Sequence, residues 1–174
     1  PVITPDIEEI SAADAIVLPG VGAFRDGMEQ IGEMQQVLTE AADSVPMLGI
    51  CLGMQMLLEW SEEHGLHAGL GIIPGTVRRF QRSPGCKIPH MGWNSLDPVM
   101  ADHPLMSGIR KGAFVYFVHS YYADTPIDHT LTSTDYIHPF ASSVTSGNVH
   151  GVQFHPEKSG AIGLRILENF IGLI

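Results

Sequence analysis

Two short, uninterrupted apolar runs constrain the fold of this chain more than any other feature. Ala15–Leu18 ends at Pro19 and Gly20, and Pro46–Ile50 ends at Cys51. Apolar runs of this length, bounded by chain-breaking residues, are typical of β-strands that are buried on both faces. A parallel sheet covered by helices provides such burial, so the two runs favour an α/β fold.

Helical patterns follow both runs. The segment 25–43 is a predicted helix interrupted by glycines, and Leu52–Trp60 is apolar almost all round, which predicts a buried helix. At the ends of the chain, Val2–Thr4 has the pattern of a strand end, and Ile7–Ile10 is long enough for one helical turn. Ser159–Ile174 carries an apolar stripe at helical spacing, with Ser159 in the N-cap position.

The second half of the chain is dominated by β-branched and aromatic segments between turn residues. The predicted strands are Thr76–Phe80, Ala113–Tyr122, His129–Tyr136, Ala141–Thr145 and Val149–Phe154. Ser146-Gly147-Asn148 between the last two is a hairpin signal. We therefore expect one α/β domain over residues 1–174, with a mostly parallel sheet flanked by helices and extended by antiparallel strands.

Charge and cysteine content exclude several classes of function. The chain has 9 Lys and Arg against 19 Asp and Glu, a net charge of −10, so a nucleic-acid partner is not expected. Two cysteines are too few for a disulfide framework. The sequence has no signal peptide and no apolar run of about 20 residues, so we expect no membrane partner and a cytoplasmic location.

Gly49-Ile50-Cys51-Leu52-Gly53 matches the pattern Gly-x-nucleophile-x-Gly between a predicted strand and a predicted helix. A nucleophile on such a turn is held in a strained conformation above the sheet, and the flanking glycines allow close chain approach. The start of the next helix is expected to favour the thiolate, and the Leu52 amide is expected to face a developing oxyanion. The alternative interpretation of Cys51 is a small buried apolar residue. Cys86 lies in a turn and is given no role.

His155-Pro156-Glu157 provides the expected base and its orienting carboxylate. It follows directly after the apolar strand Val149–Phe154, so His155 is expected at the same sheet edge as Cys51. Pro156 restricts His155 to an extended conformation, which puts Glu157 on the same face of the chain as His155. Six other histidines are interpreted as structural or surface residues, and no metal site or cofactor is expected from their spacing. These are His64, His67, His103, His129, His138 and His150.

Together these segments resemble the class I (triad) glutamine amidotransferases. Gly49–Gln55, His155–Glu157 and the loop Pro19–Gly22 carry the resemblance. In that family the cysteine attacks the side-chain amide of glutamine, a glutamyl thioester forms, ammonia leaves, and water releases glutamate. The resemblance implies that Cys51 is the nucleophile, that His155 is base and then acid, and that Glu157 orients it. It also implies a flavodoxin-like sheet.

A closer resemblance, over the whole chain, is to the glutaminase subunits of imidazole glycerol phosphate synthases. It rests on the strings Pro19–Phe24, Ile88–Asn94, Phe117–Tyr122 and His155–Ser159. It implies a heterodimer with a (β/α)8-barrel cyclase subunit, to which ammonia passes for the synthesis of imidazole glycerol phosphate and an aminoimidazole carboxamide ribotide in histidine biosynthesis. Glutaminases of this type are expected to be nearly silent until the partner's ligand binds.

The same resemblance implies the remaining site residues. Val21, Gly22 and Leu52 are expected to form the oxyanion hole, and a shift of the loop Gly20–Gly22 is a candidate gate. Bound glutamine is expected to contact Gly20, Gly22, Gln55, His119, Ser120 and Tyr121. Alternatively, Gln55 is a polar residue of a buried helix that needs a partner in any case.

Family members open with a further strand and helix before the position of Val2. The first strand of a flavodoxin-like sheet is central, so we expect this 174-residue sequence to be an N-terminally truncated form of the domain. Three other functions are weighed against the main hypothesis. They are a glutaminase for pyridoxal phosphate, anthranilate or guanylate synthesis, a non-catalytic docking module, and a cysteine hydrolase with another substrate.

Overall fold

The computed structural model describes residues 1–174 as eleven strands and five α-helices. The strands are β1 Ile16–Leu18, β2 Met47–Ile50, β3 Leu58–Ser61, β4 His67–Ala68, β5 Ile73–Arg79, β6 His90–Pro98, β7 Ala113–His119, β8 Tyr121–Asp124, β9 Thr130–Asp135, β10 Pro139–Ser146 and β11 Val149–Val152. The helices are α1 Ile7–Ser11, α2 Phe24–Ile31, α3 Met34–Ala41, α4 Leu52–Met56 and α5 Gly160–Ile171. No helix combines the length and apolar character needed to cross a bilayer.

The strands form a mixed, curled sheet in the order β1-β2-β11-β10-β8-β5-β3-β4. A branch adds β9, which pairs with β10, then β6 and β7. The pairs β1–β2, β2–β11 and β3–β5 are parallel, and the other pairings are antiparallel. This confirms the expected α/β class with flanking helices, but the sheet is mixed and not mostly parallel, because the strands of the second half add more antiparallel pairings than expected.

The apolar core lies on both faces of the parallel strands. In β2, Met47 belongs to a cluster with α2 and α4, whereas the next residue, Leu48, belongs to a second cluster with α5, and both are fully buried. The same division occurs in β11 between Val149 and Val152. Because successive strand residues point to opposite faces, the central strands are buried on both sides, as the sequence predicts.

The first predicted strand is covered less completely than expected. Ile16 and Leu18 are buried, but 48% of Val17 is exposed. The prediction that this run is buried on both faces is therefore wrong for Val17, because β1 is the edge strand and pairs only with β2. The predicted strand end at Val2–Thr4 is not a strand either.

Two tertiary pairings change the predicted elements. The helix expected over Leu52–Trp60 ends at Met56, because Leu58–Ser61 becomes β3 and pairs with β4 and β5. The strand expected over Ala113–Tyr122 divides at Ser120 into β7 and β8, because β7 pairs with β6 whereas β8 pairs with β5 and β10. Sequence periodicity shows neither break, since both depend on which strands pair and not on the local pattern.

The burial of β2 predicts that truncating one of its side chains lowers the free energy of unfolding more than truncating an exposed side chain of β1. Leu48→Ala removes a side chain with no exposed surface, so we expect the free energy of unfolding to fall by about 2–5 kcal/mol. Val17→Ala, on the half-exposed edge strand, is the matched control and should cost less than about 1 kcal/mol. Urea denaturation of the two variants measures the difference, and equal losses would contradict the two-sided burial of β2.

Candidate active site

Cys51 lies at the turn between β2 and α4 in a conformation that few non-glycine residues adopt. Its φ is 53° and its ψ is −106°. The two glycines of the motif are required by close contacts: a Cβ at Gly49 would lie 2.7 Å from the backbone nitrogen of Met54, and one at Gly53 would overlap the carbonyl oxygen of Leu18. The strained turn predicted from the sequence is therefore present, with the strain at the reactive residue itself.

The Cys51 thiol is buried, with 7% of the residue exposed. Burial raises the pKa of the thiol to about 11, although hydrogen bonds from the Leu52 amide and the Gln153 side chain act to lower it. The stabilisation expected from the start of α4 thus exists, but it is smaller than the cost of removing a thiolate from water. In this arrangement Cys51 is a neutral thiol at pH 7.

His155 is held by its backbone as well as by its side chain. Its N–H donates to the carbonyl of Tyr116 at 2.9 Å, and its own carbonyl accepts from Ser159 Oγ at 2.6 Å. Ser159 Oγ also accepts the Tyr116 N–H at 2.9 Å, so the serine links β7 to the histidine. Ser159 occupies the predicted N-cap position of α5, but its hydroxyl makes no capping bond to the helix, because it is engaged by His155 and Tyr116 instead.

The imidazole of His155 has one occupied and one free nitrogen. Nδ1 lies 2.8 Å from Glu157 Oε1, and the carboxylate can only accept, which puts the proton on Nδ1 when the ring is neutral. Nε2 is buried and has no hydrogen-bond partner. With the proton on Nδ1, the lone pair of Nε2 is available to a hydrogen-bond donor in the site.

Cys51 and His155 face one cavity of about 440 Å3, a size typical of small-molecule sites. It is lined by Val21, Gly22, Cys51, Leu52, Gln55, Glu63, Pro89, Val118, His119, Ser120, Tyr121 and His155. The structure therefore brings together most of the site residues predicted from the sequence. Gly20 and Glu157 do not line the cavity; they act on residues that do.

The loop before α2 is in direct contact with the elbow. The carbonyl of Gly20 accepts the Leu52 N–H at 3.3 Å, so one amide expected in the oxyanion hole is already engaged. A Cβ at Gly20 would lie 3.0 Å from the Leu52 Cβ, which explains the need for glycine. Gly22 has a φ of 111°, and Val21 is 80% exposed.

The corner between β7 and β8 forms the opposite wall of the cavity. The carbonyl of Tyr121 accepts from His119 Nδ1 at 2.7 Å and from Gln55 Nε2 at 3.2 Å. His119 Nε2 lies 3.0 Å from His90 Nδ1, whose ring also contacts Asn94 at 3.3 Å. Both nitrogens of His119 are thus used within the protein, which leaves backbone groups at this corner for a ligand.

Burial keeps both of these histidines neutral. It lowers the pKa of His90 to about 4 and that of His119 to about 3. Because the Tyr121 carbonyl can only accept, His119 carries its proton on Nδ1. His119 Nε2 is then an acceptor, so His90 must donate to it through its own Nδ1. The pair is a fixed hydrogen-bonded support for the corner and is uncharged at pH 7.

Three polar residues of this site are absent from the sequence prediction. Glu63 Oε2 accepts the N–H of Phe24 at 2.6 Å and lines the cavity. His90 supports His119, and Gln153 contacts Cys51. A signal existed for Gln153, since it is an amide in an apolar strand and alternates with His155. No sequence pattern indicated Glu63 as a site residue, because its segment was expected to follow a helix that does not extend that far.

Comparison with known proteins identifies the class. The family model described as glutamine amidotransferase class-I matches residues 2–173, so the chain belongs to this family. A protein of Methanosarcina acetivorans is 53% identical over 98% of this chain and 85% of its own length, and one of Halobacterium salinarum is 54% identical over 97% and 80%. Both bear the name imidazole glycerol phosphate synthase subunit HisH.

A solved structure supports the fold independently. The glutaminase domain of Trypanosoma brucei CTPS, determined with bound acivicin, aligns with a TM-score of 0.65. The alignment covers 95% of this chain and 74% of that one at 18% identity. Identity this low supports the fold alone.

The burial of Cys51 predicts an unusual pH dependence of its alkylation. In a Cys86→Ser background, we expect iodoacetamide to react with Cys51 at a rate that rises about tenfold per pH unit from pH 7 to 10, because the thiol pKa is about 11. An unperturbed thiol, with a pKa of about 8.5, would level off within this range. Mass spectrometry at timed intervals measures the rate, and a plateau below pH 9 would contradict the burial effect.

Proposed function

We propose that this chain hydrolyses the side-chain amide of glutamine, with Cys51 as nucleophile, His155 as general base and acid, and Glu157 as the orienting carboxylate. One observation carries the proposal: His155, whose Nε2 has no partner, and the strained Cys51 line the same cavity. A non-catalytic docking module would need neither a strained cysteine nor an orphaned basic nitrogen.

The proposed chemistry follows from these positions. His155 Nε2 takes the thiol proton as Sγ attacks the amide carbon, and it then gives that proton to the departing nitrogen, so ammonia leaves and a thioester remains. A water molecule next loses a proton to Nε2 and attacks the thioester. Glutamate is released as Sγ leaves and takes the proton back. Glu157 keeps Nδ1 protonated throughout, so that Nε2 is the nitrogen that exchanges protons.

The oxyanion of each intermediate needs amide donors. We assign them to the backbone N–H of Leu52 together with one from Val21 or Gly22. The Leu52 amide donates to the Gly20 carbonyl here, so a rotation of the loop Gly20–Gly22 would release it. Glycines at both ends of the loop make such a rotation accessible, which supports a gate at this point.

The cavity offers complementary groups for the two charged ends of glutamine. Glu63 is the only acidic residue in the lining, so we assign its carboxylate to the α-ammonium group. Backbone groups of Gly22 on one wall, and of His119, Ser120 and Tyr121 on the other, are assigned to the α-carboxylate and the amide. Gly20 does not line the cavity and acts through its contact with Leu52. Gln55 lies between the two walls, and its Nε2 donates to the Tyr121 carbonyl on the second wall.

The acceptor of ammonia is proposed from the relatives. Their shared name assigns them to imidazole glycerol phosphate synthase, and we propose that this chain is likewise the glutaminase subunit of such an enzyme in histidine biosynthesis. Its partner would be a (β/α)8-barrel cyclase, to which ammonia passes without release to solvent. Within this proposal residues 1–174 belong to one glutamine amidotransferase domain, and the hydrolysis uses no cofactor.

An apolar face beside the cavity supports a protein partner. Met91, Trp93 and Phe114 project from the β6–β7 hairpin with 62%, 55% and 57% of their surface exposed. Tyr116 and Val118 alternate with the buried residues of β7 on the same face, and Val118 also lines the cavity. An exposed apolar face of this kind is typical of an interaction surface.

The proposal is tested by measuring glutamate formation from glutamine. The chain is assayed alone, then with a (β/α)8-barrel cyclase subunit, then with that subunit and its nucleotide ligand. We expect strong stimulation in the last case and complete loss in Cys51→Ala. Added ammonia should still support the cyclase reaction in the Cys51→Ala complex, which separates loss of the nucleophile from loss of assembly. Full activity of the isolated chain would contradict the gate, and hydrolysis by Cys51→Ala would contradict the nucleophile.

A charge-neutralising variant tests the proposed role of Glu63. Glu63→Gln should raise the KM for glutamine about tenfold or more with a smaller change in kcat, because a charge-assisted contact to the substrate is lost. Glu62→Gln is the matched control, since Glu62 is exposed and does not line the cavity. Steady-state kinetics with the partner present measures both constants, and an unchanged KM in Glu63→Gln would refute the assignment.

A further inference from the structure

Gln153 is a completely buried polar residue immediately after β11, with no exposed surface. Its backbone N–H donates to the carbonyl of Ser142 at 2.9 Å, which continues the pairing with β10. Its side chain does not line the cavity, so it is not positioned to bind a ligand directly. Buried amides are retained where their donors and acceptors have partners, and for this amide both partners belong to the site.

The two partners of the side chain are Cys51 and Gln55. Gln153 Nε2 lies 3.7 Å from Cys51 Sγ, within hydrogen-bond range for sulfur, and Gln153 Oε1 accepts from Gln55 Nε2 at 3.0 Å. Gln55 Nε2 also donates to the carbonyl of Tyr121 at 3.2 Å. A chain of hydrogen bonds therefore runs from a backbone carbonyl to the nucleophilic sulfur.

The direction of this chain follows from its first member. The Tyr121 carbonyl can only accept, so the nearby end of the Gln55 amide must be the nitrogen. That nitrogen donates, so the end of Gln153 that it meets must be the oxygen. The nitrogen of Gln153 is therefore directed at Sγ, and reversing the amide would bring two donors together. Tertiary structure alone determines that the sulfur receives a donor.

We propose that Gln153 is a further catalytic residue, whose side-chain amide donates a hydrogen bond to Cys51 Sγ and stabilises the thiolate. The inference rests on the proposed hydrolysis for its consequence in turnover, but the hydrogen bond itself is independent of the substrate. Sγ bears negative charge twice in the cycle, when His155 removes its proton and when the thioester breaks. A hydrogen bond to an ionised sulfur is stronger than one to a thiol, so the contribution is largest at these two points.

A neutral amide is well suited to this position. The sulfur is buried, so its ionisation needs a compensating dipole, and an amide supplies one without adding a second buried charge. His155 Nε2 makes no bond to the sulfur in this structure, and the Leu52 N–H donates to the Gly20 carbonyl, so the side-chain hydrogen bond to the sulfur comes from Gln153. Leu52 is also needed for the oxyanion, whereas Gln153 is free to remain on the sulfur throughout.

Two variants separate the hydrogen bond from its structural surroundings. Gln153→Met has a similar length but no donor, and Gln153→Glu keeps an acceptor for Gln55 while presenting an oxygen to the sulfur. Both are made in the Cys86→Ser background, so that Cys51 is the one remaining thiol. Thr145→Val is the matched control, because it removes another buried side-chain hydrogen bond, to His150, without contacting Cys51.

The first readout is the rate of Cys51 alkylation by iodoacetamide at pH 9, which requires neither glutamine nor a partner. We expect Gln153→Met to react about tenfold more slowly than the parent, and Gln153→Glu more slowly still, since an ionised carboxylate repels the thiolate. Thr145→Val should react at the parent rate. Circular dichroism confirms folding, and Gln153→Glu decides the question if the methionine variant unfolds. Rates within twofold of the parent in the folded Gln153 variants would overturn the proposal.

The second readout is steady-state kinetics in the complete complex. We expect kcat to fall about tenfold or more with a KM for glutamine within twofold of the parent, because Gln153 does not touch the cavity. A raised KM with an unchanged alkylation rate would mean that Gln153 only supports Gln55, which would also overturn the proposal. If the parent hydrolyses no glutamine but the alkylation rates differ as expected, the proposed function fails and the hydrogen bond to the nucleophile stands.

Discussion

The parallel pairing of β2 with β11 is the constraint on which the rest of the site depends. The register places Ile50 opposite Val152, and the Cys51 N–H extends the ladder to the Val152 carbonyl at 2.8 Å. The chains leaving these two strands therefore start from adjacent positions at one edge of the sheet, as expected for ligand sites of α/β folds. Residues about 100 positions apart in the sequence meet there, with Cys51 on one strand end and His155 just beyond the other.

Around the sulfur, burial and hydrogen bonding act in opposite directions. Enclosure within the core favours the thiol and raises its pKa to about 11, whereas the Leu52 amide and Gln153 favour the thiolate. The same cavity is lined by His155, the proposed base, whose Nε2 has no partner, and by Leu52, the proposed oxyanion donor, whose amide is engaged by Gly20. A movement of the loop Gly20–Gly22, which we propose as the gate, would release that amide without any change in the sheet.

The antiparallel half of the sheet builds the wall opposite the nucleophile. Dividing one long segment at Ser120 turns the Tyr121 carbonyl toward Gln55, and the His90–His119 pair holds the corner from behind. One face of the β6–β7 pair carries the exposed apolar residues, and the opposite face buries the His90–His119 pair. A partner bound to that face would therefore lie against the same strands that hold the cavity wall.

The sequence by itself determined the local chemistry. The glycine pattern around Cys51, the proline after His155 and the apolar runs of β2 and β11 predicted the elbow, the base with its carboxylate, and their common edge, because these depend on short-range sterics and on strand burial. Only the tertiary structure decided the end of α4, the division between β7 and β8, and the hydrogen bonds of Glu63, His90, Gln153 and Ser159. Each of these depends on a hydrogen-bond partner in another segment of the chain, which no local pattern specifies.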